Sequence, residues 1–220
     1  MRLELTERLR CPVPHAPTPL IVVASETRDR DLVRGVAGCP VCRLEVPIRE
    51  GHVRFDLAAA ERDAPAAMPP VIPRDAPPDV ERTIALLGLD TPEGAVLLTG
   101  IYASIAGPLA AATGVVAVVL SATPADAVAG ASATAPVSAV TGALAALPFT
   151  DGTFRGAALD AALPMALVAD APRTVAVRGR LLAAVAVPPP AGLRELARDD
   201  REWVAAREAV PTVVGLTRRT

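Results

Sequence analysis

The chain of 220 residues contains no lysine, no asparagine and no glutamine. Every basic side chain is therefore an arginine, a bias that, like the 23 prolines, reads as a GC-rich coding habit and carries no functional information. Aromatic residues are scarce, with one Trp, one Tyr and three Phe, so Ala and Val must fill the core. The two histidines, His15 and His52, both lie near the N-terminus. That leaves no Ser/His/Asp set in the rest of the chain, and there is no P-loop and no HExxH. Net charge is -2 and no basic run stands out. Nucleic-acid affinity rests on clustered cations that displace counterions, so the sequence gives it no support. The opening MRLELTERLR lacks the apolar core of a signal peptide. Three cysteines behind such a start point to a reducing, cytoplasmic setting and against a disulfide framework.

What is present is a long uncharged stretch from Gly94 to Pro124. About 20 apolar residues can span a bilayer. Here Gly100, Gly107, Pro108 and Gly114 cut the stretch into pieces of strand and helix length, with Ala where Leu and Ile would be expected. A buried strand–turn–helix–strand unit accounts for it better. Alternating elements continue from there. DVERTIALLGL reads as a helix capped by Gly88, AVLLTG as the first strand, and SIAGPLAAAT as a helix that Pro108 distorts. VVAVVLS, APVSAV and GRLLAAVAV read as further strands, RGAALDA as leading into strand four, with short helices at PADAVAGAS and LPMALVAD. GLRELARDDREWVAAREAV reads as an amphipathic helix and PTVVGLTRR as a last strand. The pattern predicts an α/β fold with a doubly wound, mainly parallel Rossmann-like sheet over residues 79–220.

Residues 1–58 form a smaller β-rich unit, and the Ala/Pro-rich residues 59–78 a linker. Within the first unit LIVVAS, DLVRGV, LEVPI and HVRF read as strands. Between them Cys39-Pro40-Val41-Cys42 is a knuckle: two thiolates two residues apart on a tight turn can reach one tetrahedral ion. Cys11 and His15 supply the second pair, giving a closed Cys₃His zinc site, with His52 as the alternative fourth ligand. A redox role for the pair is disfavoured, because no helix follows to depress a thiol pKa. On the Cys39–Cys42 knuckle, the EVPI–REG–HVRF hairpin and the earlier Cys-Pro, this unit resembles small zinc-ribbon domains of the Trm112-like type.

On LLGLDTPEGAVLLTGIYAS, VVAVVLS, RGRLLAAVAV and above all Leu147-Pro148-Phe149-Thr150-Asp151-Gly152-Thr153-Phe154, residues 78–220 resemble class I S-adenosylmethionine-dependent methyltransferases. The resemblance implies a cofactor site at the turn after the first strand. Gly100 holds its first glycine position, and Tyr102 and Ser104 stand at the next two. Leu98, Ser121 and Ala143 stand where the resemblance places carboxylates, Ser121 at the one that grips the ribose. Losing that carboxylate alone removes hydrogen bonds of about 1.5–3 kcal/mol each. The scaffold is kept while the cofactor residues are lost, which implies a pseudo-methyltransferase: a noncatalytic structural or adaptor subunit among other protein subunits, with peripheral membrane association through a partner. S-adenosylmethionine binding is then not expected. The alternatives are a divergent methyltransferase acting on RNA or a small molecule, and a regulatory partner of another methyltransferase.

Overall fold

In a computed structural model, residues 1–55, 77–121, 137–142 and 144–209 are described. Most of the expected linker, the helix at PADAVAGAS, Ala143 and the last strand at PTVVGLTRR lie outside them. After a single helical turn, α1 (Leu3–Thr6), come β1 (Ile21–Arg28), β2 (Asp31–Gly38), β3 (Glu45–Arg49) and β4 (His52–Arg54). Then follow α2 (Val80–Leu87), β5 (Ala95–Thr99), a 3₁₀ segment (Gly100–Ile105), α3 (Ala106–Thr113), β6 (Val116–Ser121) and β7 (Val137–Thr141). The rest is β8 (Phe154–Leu159), α4 (Met165–Thr174), β9 (Val175–Ala184), β10 (Leu193–Arg198) and β11 (Glu202–Arg207). No helix among the described residues is long and apolar enough to cross a membrane.

All eleven strands join one mixed sheet in the order β1-β2-β3-β4-β7-β6-β5-β8-β9-β11-β10. Its centre, β4 to β9 in that order, is parallel, and antiparallel hairpins extend both edges. Counted from β5, the order β7-β6-β5-β8-β9 is 3-2-1-4-5, that of a doubly wound α/β sheet. β5 is buried at every position and β6 at all but its first, as unbroken apolar strands covered on both faces must be. Val96 and Leu98 face the layer under α2 and α3, while Leu97 faces the layer that holds Leu147, Phe149, Phe154, Leu167 and Trp203.

Local chemistry sets the helix ends. Asp79 caps α2 by accepting from the Arg82 N–H at 2.7 Å, and Gly88 closes it at φ +65. Pro108 does not distort α3. It is the third residue of the helix, where its missing N–H would have had no helical partner.

The amphipathic helix expected at residues 192–210 is instead the hairpin β10–β11. Asp199 accepts the N–H groups of Arg201 and Glu202, each at 2.8 Å, which makes a tight turn where the helix would have run. Trp203, Val204 and Ala205 are buried and pair with Ala183, Leu182 and Leu181 of β9. The Trp203 indole donates to the Val187 carbonyl at 2.6 Å. Local helix propensity loses to these tertiary contacts.

The LPF–DG turn is a structural clamp. Phe149 and Phe154 meet edge to face, with centroids 4.8 Å apart. Arg173 of α4 grips the turn from below: it donates to the carbonyls of Leu147 and Phe149 and to Asp151, and makes a two-pronged pair with Asp170. Asp170 in turn accepts the Leu147 N–H at 2.9 Å. Burial pushes the Asp170 carboxyl up, but the Arg173 guanidinium and the Leu147 N–H outweigh it and hold it below the usual aspartate value. A depressed folded pKa means stability that is present above the unfolded value, near 3.9, and lost as pH falls through the folded one. Asp170→Asn is therefore expected to cost about 1–3 kcal/mol at pH 7, with the difference from the parent shrinking below about pH 4. Urea midpoints at the two pH values check this.

Candidate functional site

Two places combine buried polar groups with the positions singled out by sequence. The first is the sheet's topological switch point. β5 is followed by β6 on one side but lies beside β8 on the other, and ligands of such sheets sit outside the strand ends at that junction. Gly100 and Asp160 are the residues that follow β5 and β8 there. Gly100 has φ +54, and a side chain on it would fall inside van der Waals contact with Cβ and Cγ of Asp160. Asp160 is 6% exposed. Its carboxylate accepts the Ala162 N–H at 2.8 Å and the Ile101 N–H at 3.4 Å, and its own N–H donates to Thr99 Oγ1 at 2.8 Å. The glycine thus clears room for a resident aspartate, and that aspartate takes the amide of the turn.

Tyr102 leaves the turn along the α2/α3 face of the sheet. The ring is fully buried among Leu98, Leu109, Ala158 and Leu182. Its hydroxyl donates to Glu202 Oε1 at 2.6 Å. Glu202 pairs with Ala184 at the end of β9 and accepts from Arg82 of α2. The phenol therefore ties the turn to β11. Ser121 closes β6, buried and in register with Thr141 of β7. Leu98 is core. Ser104 donates to the Ile101 carbonyl at 2.6 Å, within the 3₁₀ segment. Asp160 is not among the residues that the sequence singles out. Its position one residue beyond an apolar strand at the switch point was the available signal. Glu202 was missed because it was placed on a helix.

The second place is the N-terminal cluster. The chain turns tightly after β2, with Cys39 N–H donating to the Leu44 carbonyl, Arg43 N–H donating back to Cys39, and Arg43 at φ +57. Cys11 lies on a loop closed by its N–H to the Thr18 carbonyl at 2.9 Å. The ligand atoms of Cys11, His15, Cys39 and Cys42 all lie within 4.8 Å of one another. Cys11 Sγ is 3.6 Å from Cys42 Sγ, and Cys39 Sγ is 3.4 Å from His15 Nε2. A tetrahedral zinc ion bound at ~2.3 Å from sulfur and ~2.05 Å from nitrogen sets edges of about 3.8 and 3.5 Å. The four residues could hold a metal ion. The His15 ring contacts the Ala16 carbonyl through Nδ1 at 2.7 Å. A carbonyl only accepts, so the proton sits on Nδ1 and the lone pair on Nε2 faces the thiols. His52, the alternative ligand, lies on β4 opposite Arg49 and outside the cluster.

The thiols differ. Burial pushes Cys11 up to about 12. Burial also acts upward on Cys42, but hydrogen bonds from Leu44, Cys11, Cys39 and His15 outweigh it and bring this thiol down to about 7. His15 is raised, first by its bond to the Ala16 carbonyl. A metal bound here would release protons, as thiolate ligation requires.

No family model matches this chain, and no curated protein does. Among solved structures it is similar to YcgJ of Bacillus subtilis, at 22% identity and TM-score 0.39 over 48% of this chain and 49% of that one. It is similar to a geranyl diphosphate C-methyltransferase of Streptomyces coelicolor, at 16% and 0.38 over 47% and 41%. The [4+2]-cyclase SpnF aligns at 13% and 0.44 over 54% and 57%. The chain spans about half the length of these structures.

Proposed function

We propose that this protein is a noncatalytic structural or adaptor subunit, a methyltransferase-like α/β body with a zinc knuckle on its N-terminal hairpins. The observation that carries the reading is the closure of the switch point. Asp160 packs on Gly100 and occupies the Ile101 N–H, and the turn's one phenol is committed to Glu202. On this reading S-adenosylmethionine is not expected to bind. The positions at which the resemblance places carboxylates carry Leu98 and Ser121, and a negative side chain already sits over the glycine. Zinc does fit: three thiols and an imidazole with a fixed tautomer form a closed, soft donor set with no open position, as structural zinc sites have.

A second reading, a divergent S-adenosylmethionine-dependent methyltransferase, draws support from the buried polar row Thr99, Ser121 and Asp160 at the carboxyl ends of β5, β6 and β8. The partner and the cytoplasmic setting are part of the adaptor reading. Gentle extraction from the native source followed by size-exclusion with light scattering tests it. Elution in a species well above the 22.6 kDa of one chain is expected. Elution as a lone chain that transfers methyl groups would overturn it.

A further inference from the structure

At the opposite, amino end of the parallel strands lies an open cleft of about 530 Å³. It is bounded by the end of α2, by Arg155 at the start of β8, and by Ala176–Arg180 at the start of β9. Three arginines line it, Arg155, Arg178 and Arg180, against a single acidic residue, Asp90. Ile84, Leu87, Leu89 and Val177 supply an apolar wall.

The β9 side of the cleft is an irregularity in the sheet. Phe154 pairs with Val175, but Gly156 pairs with Arg180, so two steps along β8 face five along β9. The extra residues bulge outward. Arg178 sits in the bulge at φ +68, a conformation that costs a residue bearing a Cβ roughly 1–2 kcal/mol, and it is exposed. Gly179 is required beside it, because a Cβ there would strike the Arg155 carbonyl. Bulges of this kind re-aim a side chain.

The arginines are not equally occupied. Arg155 is tied to Asp90, Thr91 and the carbonyls of Gly88 and Glu93. Arg180 caps the end of α2 through Nη1 alone, donating to Ala85 and Leu86. Among the described residues Arg178 pairs with no carboxylate. A cleft that keeps excess guanidinium N–H groups over an apolar wall, on a strained bulge, is built for an anion with an apolar body.

We infer that this cleft binds a small molecule bearing a phosphate on an apolar group, with Arg178 and the free edge of Arg180 on the phosphate. Isothermal titration at low salt with phenyl phosphate and with inorganic phosphate tests this, on the parent protein, Arg178→Ala and Arg178→Glu. Saturable binding of phenyl phosphate is expected, at least fivefold tighter than inorganic phosphate. Arg178→Ala should weaken it about tenfold and Arg178→Glu abolish it, with Tm within 2 °C of the parent because among the described residues the side chain makes no ion pair. Absence of saturable binding, equal affinity for the two probes, or unchanged affinity in Arg178→Ala would each overturn the inference.

Discussion

Cys39→Ala is expected to lower Tm by roughly 8–16 °C, and a strong chelator to lower that of the parent by the same amount. A structural zinc contributes on the order of 10 kcal/mol in isolated peptides. Here the hairpins also pair into the sheet, so the loss is set at about 4 kcal/mol, and each kcal/mol moves Tm by about 2–4 °C in a chain of this size. The effect should spread beyond the knuckle. Cys11 follows directly on Arg10, whose N–H donates to the Pro148 carbonyl, while Thr150 N–H donates to Arg8 and the fully buried Leu9 bridges to Phe149. Freeing Cys11 therefore loosens the cover of the LPF turn. Hydrogen exchange should accelerate at residues 8–20 and 39–44 and at Thr150. A chelated protein with unchanged Tm would contradict a structural metal, and chelator sensitivity that persists in Cys39→Ala would place the metal elsewhere.

Gly100→Ala is expected to cost about 2–5 kcal/mol, the sum of left-handed backbone strain and overpacking against Asp160. The neighbour is Cβ itself, which no rotamer change can move. Asp160→Gly removes all three atoms that collide, Cβ, Cγ and Oδ1, so it should return the overpacking part in the double variant, a coupling of about 1–3 kcal/mol. Urea denaturation of the four proteins of the cycle measures it. Additive costs would mean that the glycine is kept for some other neighbour, a ligand included.

Much of the fold was legible because burial on both faces writes unbroken apolar runs. AVLL and VAVVL read best as central strands, and their spacing gave the parallel core. The cluster at Cys11, His15, Cys39 and Cys42 was legible because ligand spacing on a turn is a local property. His15 was read as the fourth member with His52 as the alternative, and it is the Cys11–Thr18 loop that brings His15 to the thiols. The β10–β11 hairpin was illegible because it depends on a tertiary neighbour. Arg, Glu and Ala are helix formers, and only the β9 edge that receives Trp203 and Val204 makes them a strand. Leu98, Ser121 and Ala143 were visible one by one, whereas the contact of Asp160 with the turn required two strand ends to be brought together.

The most direct measurement is calorimetric titration of the zinc-loaded chain with S-adenosylmethionine. On the proposed closure of the switch point by Asp160, no saturable heat is expected up to about 1 mM ligand, a binding free energy weaker than about 4 kcal/mol. Saturation with one site per chain and a micromolar Kd would contradict a noncatalytic scaffold.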